Sequence, residues 1–298
     1  MADLTQMRAA EAQVLAHLPV AVAAHDLPFA GGTLHCLVAG DPALPALVLV
    51  HGRGSMAIFW HPLITRLAAT RRILAIDLPG WGLSANIPFT GTSGEAAVNW
   101  WRDGVLATLD HLAIARCALM GHSLGGMVSM AVAAARPAAV SPLILEDPAG
   151  FPGKVAPWAR LFFAVEPERL ARLSPQPVFA WARHRLTASP PAAPALTQAL
   201  ATLDRLITTQ RASGVAAFHR LLPLHGVGYT LAADLPKLTM PTHLLLGAHD
   251  PLVPRAVVTA GMRAIPHADL TIIPDAAHTP HLEQPDATAA LVTRFIAQ

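Results

Sequence analysis

The run Leu47-Val48-Leu49-Val50 is apolar at every position and lacks the alternation of a strand that keeps one face in water. Such a strand needs cover on both faces, which within one chain means a sheet with helices packed above and below it. The same character recurs in short Val-, Ile- and Leu-rich runs at 33–38, 46–51, 72–77, 117–121, 142–146, 242–247 and 269–273. From residue 33 onward these runs alternate with longer helical patterns, so the expected fold is α/β, with strands feeding crossover helices in a mostly parallel, doubly wound sheet. Hydrophobic residues make up 53% of the 298 and charged residues 13%, ample material for such a core.

The pattern breaks between the fifth and sixth runs. Residues 150–236 hold no convincing strand and are rich in Pro, Ala, Arg and aromatic residues, among them Trp158, Phe162, Phe163, Phe179 and Trp181, with Ser189-Pro190-Pro191 and Pro194 interrupting the middle. The expected organisation is therefore a core of residues 1–149 and 237–298 carrying a helical cap of residues 150–236. Any one of these aromatics is more often helix packing than pocket lining. Trp158 and Phe162, with Trp60 and His122, are the candidates for substrate contact.

Charge and cysteine content exclude several classes of function. The net charge is +2, and 21 Lys+Arg are interspersed with 19 Asp+Glu, which does not suit a nucleic-acid partner. Cys36 and Cys117, the two cysteines, sit in apolar strand-like runs and form neither a disulfide framework nor a metal-ligand spacing. No G-x-G-x-x-G turn or Cys/His cluster calls for a cofactor or a metal. Mean hydropathy is high at +0.43, yet no run approaches the ~20 apolar residues of a membrane-spanning helix, so no stable membrane insertion is expected. Residues 1–26 carry Asp3, Glu11 and His17 and lack the basic start of a secretory signal, which makes a soluble, cytoplasmic protein the expectation.

The chemistry concentrates at Gly121-His122-Ser123-Leu124-Gly125, a G-x-S-x-G sequence that directly follows the run 117–120 and precedes a helical pattern over 126–136. A serine at a sharp strand-to-helix turn is lifted clear of the sheet. Glycines two residues before and after remove side chains that would collide there. The adjacent helix N-terminus, with its unpaired N–H groups, favours developing negative charge. A serine hydroxyl is a weak nucleophile at neutral pH, so a base must take its proton and a third group must orient that base. Asp250 follows the run 242–247 and His278 follows the last run, which places both at the edge of the sheet where the strands end. The order Ser, Asp, His matches this triad when it is built on such a sheet. Glu146 and Asp147, after the run 142–145, are rivals for the acid, and His249 and His281 stand close to the proposed positions. Asp77 is assigned to its own Gly-rich turn.

Two further motifs agree with this reading. His51-Gly52-Arg53-Gly54 resembles the His-Gly loop of the α/β-hydrolase superfamily, and Asp77-Leu78-Pro79-Gly80-Trp81-Gly82-Leu83-Ser84 resembles that superfamily's D-x-x-G-x-G-x-S turn. From about residue 30 the chain is similar to the serine-nucleophile branch over essentially its whole length. Residues 143–151 bear a slighter likeness to the ABHD4/ABHD5-like members, in which a similar stretch leads into the cap; that would favour lipid-like esters or acyl transfer. The superfamily likeness implies an α/β-hydrolase fold and an oxyanion hole formed by the backbone N–H groups of Arg53 and Leu124. The Arg53 side chain has two readings, contact with a substrate carboxylate or a structural salt bridge.

The resulting expectation is a serine hydrolase that cleaves a carboxylic ester of a hydrophobic small molecule through an acyl-enzyme on Ser123, with a small-molecule acyl substrate as its partner. Ser at position 123, where the superfamily's epoxide hydrolases and haloalkane dehalogenases carry Asp, argues against their chemistry. Carbon–carbon hydrolysis of a diketone-like substrate, thioester cleavage and acyl transfer use the same three side chains and stay open. So does a ligand receptor that retains the triad.

Overall fold

The computed structural model describes residues 2–153, 194–207, 212–223 and 228–297. Its strands are β1 (Val22–Phe29), β2 (Gly32–Ala39), β3 (Ala46–Val50), β4 (Arg72–Ile76), β5 (Cys117–His122), β6 (Val140–Glu146), β7 (Thr242–Gly247) and β8 (Ala268–Ile273). They form one sheet in the order β1-β2-β4-β3-β5-β6-β7-β8. β1 and β2 run antiparallel to their neighbours, and every other pairing is parallel. The α/β-hydrolase fold expected from the sequence is the fold observed.

Every residue of β3 is buried. Val48 and Val50 enter the core on one side of the sheet and Leu47 and Leu49 the core on the other, which is the two-sided cover that this unalternating run required. Among the described residues the helices are α1 (Ala2–Ala16), α2 (His61–Leu67), α3 (Gly94–His111), α4 (Leu124–Ala135), α5 (Pro194–Ile207), α6 (Ala212–Leu221), α7 (Arg255–Met262), α8 (Pro280–Glu283) and α9 (Pro285–Ile296). α3 and α4 pack together on one face, and α2 and α9 on the other.

The seven apolar runs correspond to β2–β8, and the sequence reading missed β1. This edge strand pairs on one side only, shows mostly half-exposed and exposed residues and contains Pro28, a residue tolerated at a sheet edge. It turns into β2 through Ala30 and Gly31, both at positive φ (45° and 81°), as a two-residue primed hairpin turn requires.

The hairpin anchors α1. His35 on β2 is fully buried, with Glu11 Oε2 at 3.0 Å from Nε2 and Asp26 Oδ1 at 2.9 Å from Nδ1; Asp26 also pairs with Arg8 at 2.8 Å. Burial pulls the His35 pKa down, but Glu11, Asp77 and Asp26 overcome it and raise it to about 9, so the ring is an imidazolium at neutral pH. α1 carries Met7, Ala10 and Val14 into the same core as Ala199, Leu203, Leu206 and Ile207 of α5, against which it packs. The described part of 150–236 contains α5 and α6; Trp158, Phe162, Phe163, Phe179 and Trp181 lie outside the described residues.

Candidate active site

Ser123 stands between β5 and α4 with φ 52° and ψ −115°, a backbone region that non-glycine residues seldom occupy. The positions two residues before and after it have no room for a side chain. A Cβ at position 121 would fall 2.2 Å from the Gly125 carbonyl oxygen and 2.4 Å from Ser129 Oγ, and one at position 125 would fall 2.2 Å from the Val50 carbonyl oxygen. The Ser123 N–H donates to the Glu146 carbonyl at 2.9 Å, and its carbonyl accepts from Gly126, Met127 and Ala149. The strained turn is thus tied to the end of β6, to the segment that follows it and to the first turn of α4.

The structure brings Ser123, His278 and Asp250 together. His278 Nε2 lies 3.1 Å from Ser123 Oγ, and His278 Nδ1 lies 2.8 Å from Asp250 Oδ2. The other Asp250 oxygen accepts the N–H groups of Leu252 (2.7 Å) and Val253 (3.2 Å). Burial raises the Asp250 pKa, but its hydrogen bond and attraction to His278 and the Leu252 N–H outweigh that and hold it below the usual carboxylate range. An ionised acceptor at Nδ1 fixes the proton of neutral His278 there and leaves Nε2 free to accept the serine proton.

The loop carrying His278 is itself pinned. Glu283 accepts the N–H groups of Ala277 (2.7 Å) and Thr279 (2.8 Å), one on each side of His278, and the His249 N–H donates to the Ala276 carbonyl at 2.9 Å. Glu283 escaped the sequence reading because its role depends on how the turn before α8 folds back. The His249 side chain is exposed. His281 is buried and pairs through Nδ1 with Glu146 Oε2 at 2.5 Å. Of the residues weighed as rivals, Glu146 and His281 therefore bind each other.

Two residues predicted to contact substrate are structural in this arrangement. His122 is 6% exposed and its Nε2–H donates to the His278 carbonyl at 2.7 Å; burial, reinforced by His278, depresses its pKa to about 3 and keeps it neutral. Trp60 is 1% exposed, with its ring centroid 4.1 Å from that of His281. Both are sequestered behind the triad because the β5 turn and the segment leading into α2 pack against the His281 ring. Trp158 and Phe162 lie outside the described residues.

The His51–Gly54 loop approaches the nucleophile closely. A Cβ at Gly52 would sit 3.2 Å from Ser123 Cβ and 2.7 Å from His122 Nδ1. His51 Nε2 accepts the Leu78 N–H at 3.0 Å, so its Nδ1–H donates to the Gly52 carbonyl at 2.7 Å and shapes the loop. Leu124 opens α4, so its N–H is among the donors that an α-helix leaves unpaired in its first turn. The Arg53 guanidinium lies over the Phe218 ring of α6, 4.8 Å from its centroid, a cation–π contact that neither reading of that side chain anticipated. Asp77 accepts the N–H groups of Ala57 and Leu83, as its assignment to the Gly-rich turn requires.

Comparison with known proteins agrees with this fold. Over 266 residues, 86% of its length, the chain is 33% identical to the dihydrolipoyllysine-residue acetyltransferase component of the acetoin cleaving system of Pseudomonas putida, and it spans 64% of that longer protein. It is 27% identical to the pimeloyl-[acyl-carrier protein] methyl ester esterase of Aliivibrio salmonicida, over 84% of this chain and 91% of that one. The solved carboxylesterase CesB of Bacillus subtilis superposes with a TM-score of 0.78 at 20% identity, covering 99% of both chains. The model of the alpha/beta hydrolase family matches residues 47–291, a span that holds the serine turn, the His-Gly loop, Asp250 and His278, and the chain belongs to that family.

Proposed function

We propose that this protein is a serine hydrolase that cleaves a carboxylic ester of a hydrophobic small molecule through an acyl-enzyme on Ser123. The observation that carries the reading is the unbroken relay from Ser123 Oγ to His278 Nε2 (3.1 Å) and from His278 Nδ1 to Asp250 (2.8 Å), set beside a helix N-terminus. The family relationship establishes a hydrolase fold with esterase relatives, one of them named a methyl ester esterase.

In the proposed cycle His278 Nε2 takes the Ser123 proton as Oγ bonds to the acyl carbon, and the carbonyl π pair moves onto oxygen. The N–H groups of Leu124 and Arg53 are the donors assigned to that oxyanion, each worth ~3 kcal/mol of barrier. Asp250 stays ionised and stabilises the imidazolium. Collapse of the intermediate breaks the ester C–O bond, and His278 hands the proton to the departing alkoxide. Water then attacks the acyl carbon with His278 again taking its proton, collapse of this second intermediate breaks the Ser123 Oγ–carbon bond, and His278 returns the proton to Oγ as the acid leaves. The chain's own groups supply every proton movement. In this reading the apolar content of residues 150–236 suits a hydrophobic acyl or alcohol group.

The test is steady-state hydrolysis of p-nitrophenyl esters over a series of acyl chain lengths, with Ser123→Ala in parallel. Turnover that is lost in the variant supports the reading, and the chain-length optimum sizes the pocket. Folded wild type that turns over no ester sinks it and directs attention to carbon–carbon hydrolysis or ligand binding.

A further inference from the structure

Behind the relay lies a second buried carboxyl that the cycle does not use. Asp147, the residue after β6, is fully buried at φ 40°, and its backbone N–H is held by the Leu245 carbonyl at 2.9 Å. One of its oxygens, one Asp250 oxygen and one His278 ring nitrogen all lie within 4.8 Å of one another. Two carboxylates so close, both shielded from water, do not both ionise; one keeps a proton.

Hydrogen-bond donors decide which. Asp250 receives three N–H groups, from His278, Leu252 and Val253. Among the described residues, Asp147 receives only the Gly247 N–H, shared between its two oxygens at 3.1 and 3.2 Å. The negative charge is better stabilised on Asp250, so the proton resides on Asp147. A carboxylic acid there has an O–H to donate, and the Asp250 carboxylate is the acceptor beside it. The titratable groups facing Asp147 are Asp250 from the loop after β7, His278 from the loop after β8 and Glu146 beside it in the chain. Burial first, then the Asp250 and Glu146 charges and the hydrogen bond to Asp250, push the Asp147 pKa well above the carboxylate range, in keeping with this assignment.

We propose that Asp147 is a positioning residue which, as a protonated acid, donates a hydrogen bond to Asp250 and so holds that carboxylate ionised and aimed at His278. The inference rests on the Ser123–His278–Asp250 reading and adds to it. The donated bond makes Asp250 a weaker base, so it does not take the His278 proton when the ring becomes an imidazolium. It also completes the set of donors that fixes the carboxylate plane. No proton leaves Asp147 during the cycle.

Asparagine can present an N–H where the acid presents its O–H, whereas alanine cannot, and the two variants separate the roles. Infrared difference spectra of wild type and Asp147→Asn at neutral pH, recorded without substrate, should show a protonated carboxylic acid C=O band that the variant loses. With an ester substrate, Asp147→Ala should lower kcat by about tenfold with little change in KM, the size of one lost hydrogen bond to a charged group. Asp147→Asn should restore activity to within about threefold of wild type. Thermal unfolding of each variant establishes that it is folded. A missing carboxylic acid band overturns the proposal, as does an Asp147→Asn that loses as much activity as Asp250→Asn, because Asp147 would then be an ionised acid. The infrared result needs no turnover, so it stands apart from the esterase reading, which the Ser123→Ala comparison decides.

Discussion

Removing the charge on His35 should loosen the N-terminal helix from the sheet, and the cost can be worked out from the site. The ring is buried between Glu11 of α1 and Asp26 of β1 at 3.0 and 2.9 Å, and its pKa rises from 6.5 to about 9. Below pH 6.5 the folded and unfolded chains both carry the proton, and the stabilisation is complete. Between 6.5 and about 9 only the folded chain keeps it, and the advantage drains away as pH climbs through that window. At 1.36 kcal/mol per pKa unit the loss amounts to about 3 kcal/mol. Comparing the melting temperature of wild type with that of His35→Gln from pH 6 to 10 isolates this group, because other titrations are largely common to both proteins. The wild-type advantage should shrink across the window by about 6 °C or more. Limited proteolysis near α1 should accelerate in parallel, since Met7, Ala10 and Val14 hold α5 through the same helix. A wild-type advantage that stays constant from pH 6 to 10 would refute the reasoning, because it would mean that His35 carries no folding-linked proton.

Three further outcomes follow from the site and the core. Asp250→Asn should lower kcat by about four orders of magnitude while leaving the fold intact, because an amide that donates to Nδ1 reverses the tautomer of His278; steady-state kinetics with circular dichroism checks both. Gly52→Ala, whose methyl would stand 2.7 Å from His122 Nδ1 and 3.2 Å from Ser123 Cβ, should displace the loop beside the nucleophile and cost about a hundredfold in kcat at little cost in KM; an unchanged kcat would remove that loop from the mechanism. Cys36 and Cys117, whose thiols burial pushes up to about 12, should stay unmodified by a maleimide in the folded protein and react on unfolding, as mass spectrometry would show.

The sheet was legible because unalternating runs such as 47–50 have no stable alternative to burial on both faces. The hidden strand, β1, sits where that pressure is absent: an edge, half in water, with a proline that reads as a break. Ser123 was legible for a local reason, since glycine on both sides at a strand-to-helix turn leaves a strained geometry as the economical one. Asp250 and His278 were legible from their places after strands. The same placement already favoured them over Glu146, Asp147, His249 and His281, and the folded chain adds that His281 is bound to Glu146 and that the His249 side chain is exposed.

By itself, then, the order of apolar runs and small-residue turns determined the architecture and which end of the sheet would carry the chemistry, because both depend on contacts within a strand, a turn and its neighbour. The tertiary structure alone decided the roles of identical residue types. Asp250 and Asp147 are chemically equal in the sequence, and they differ because, among the described residues, three N–H groups converge on one and a single shared N–H on the other. His278 reaches Ser123 whereas His122, next to Ser123 in the chain, turns away to hold the His278 backbone. Hydrogen-bond partners and burial are properties of the assembled chain, and they, rather than residue identity, set where each proton sits.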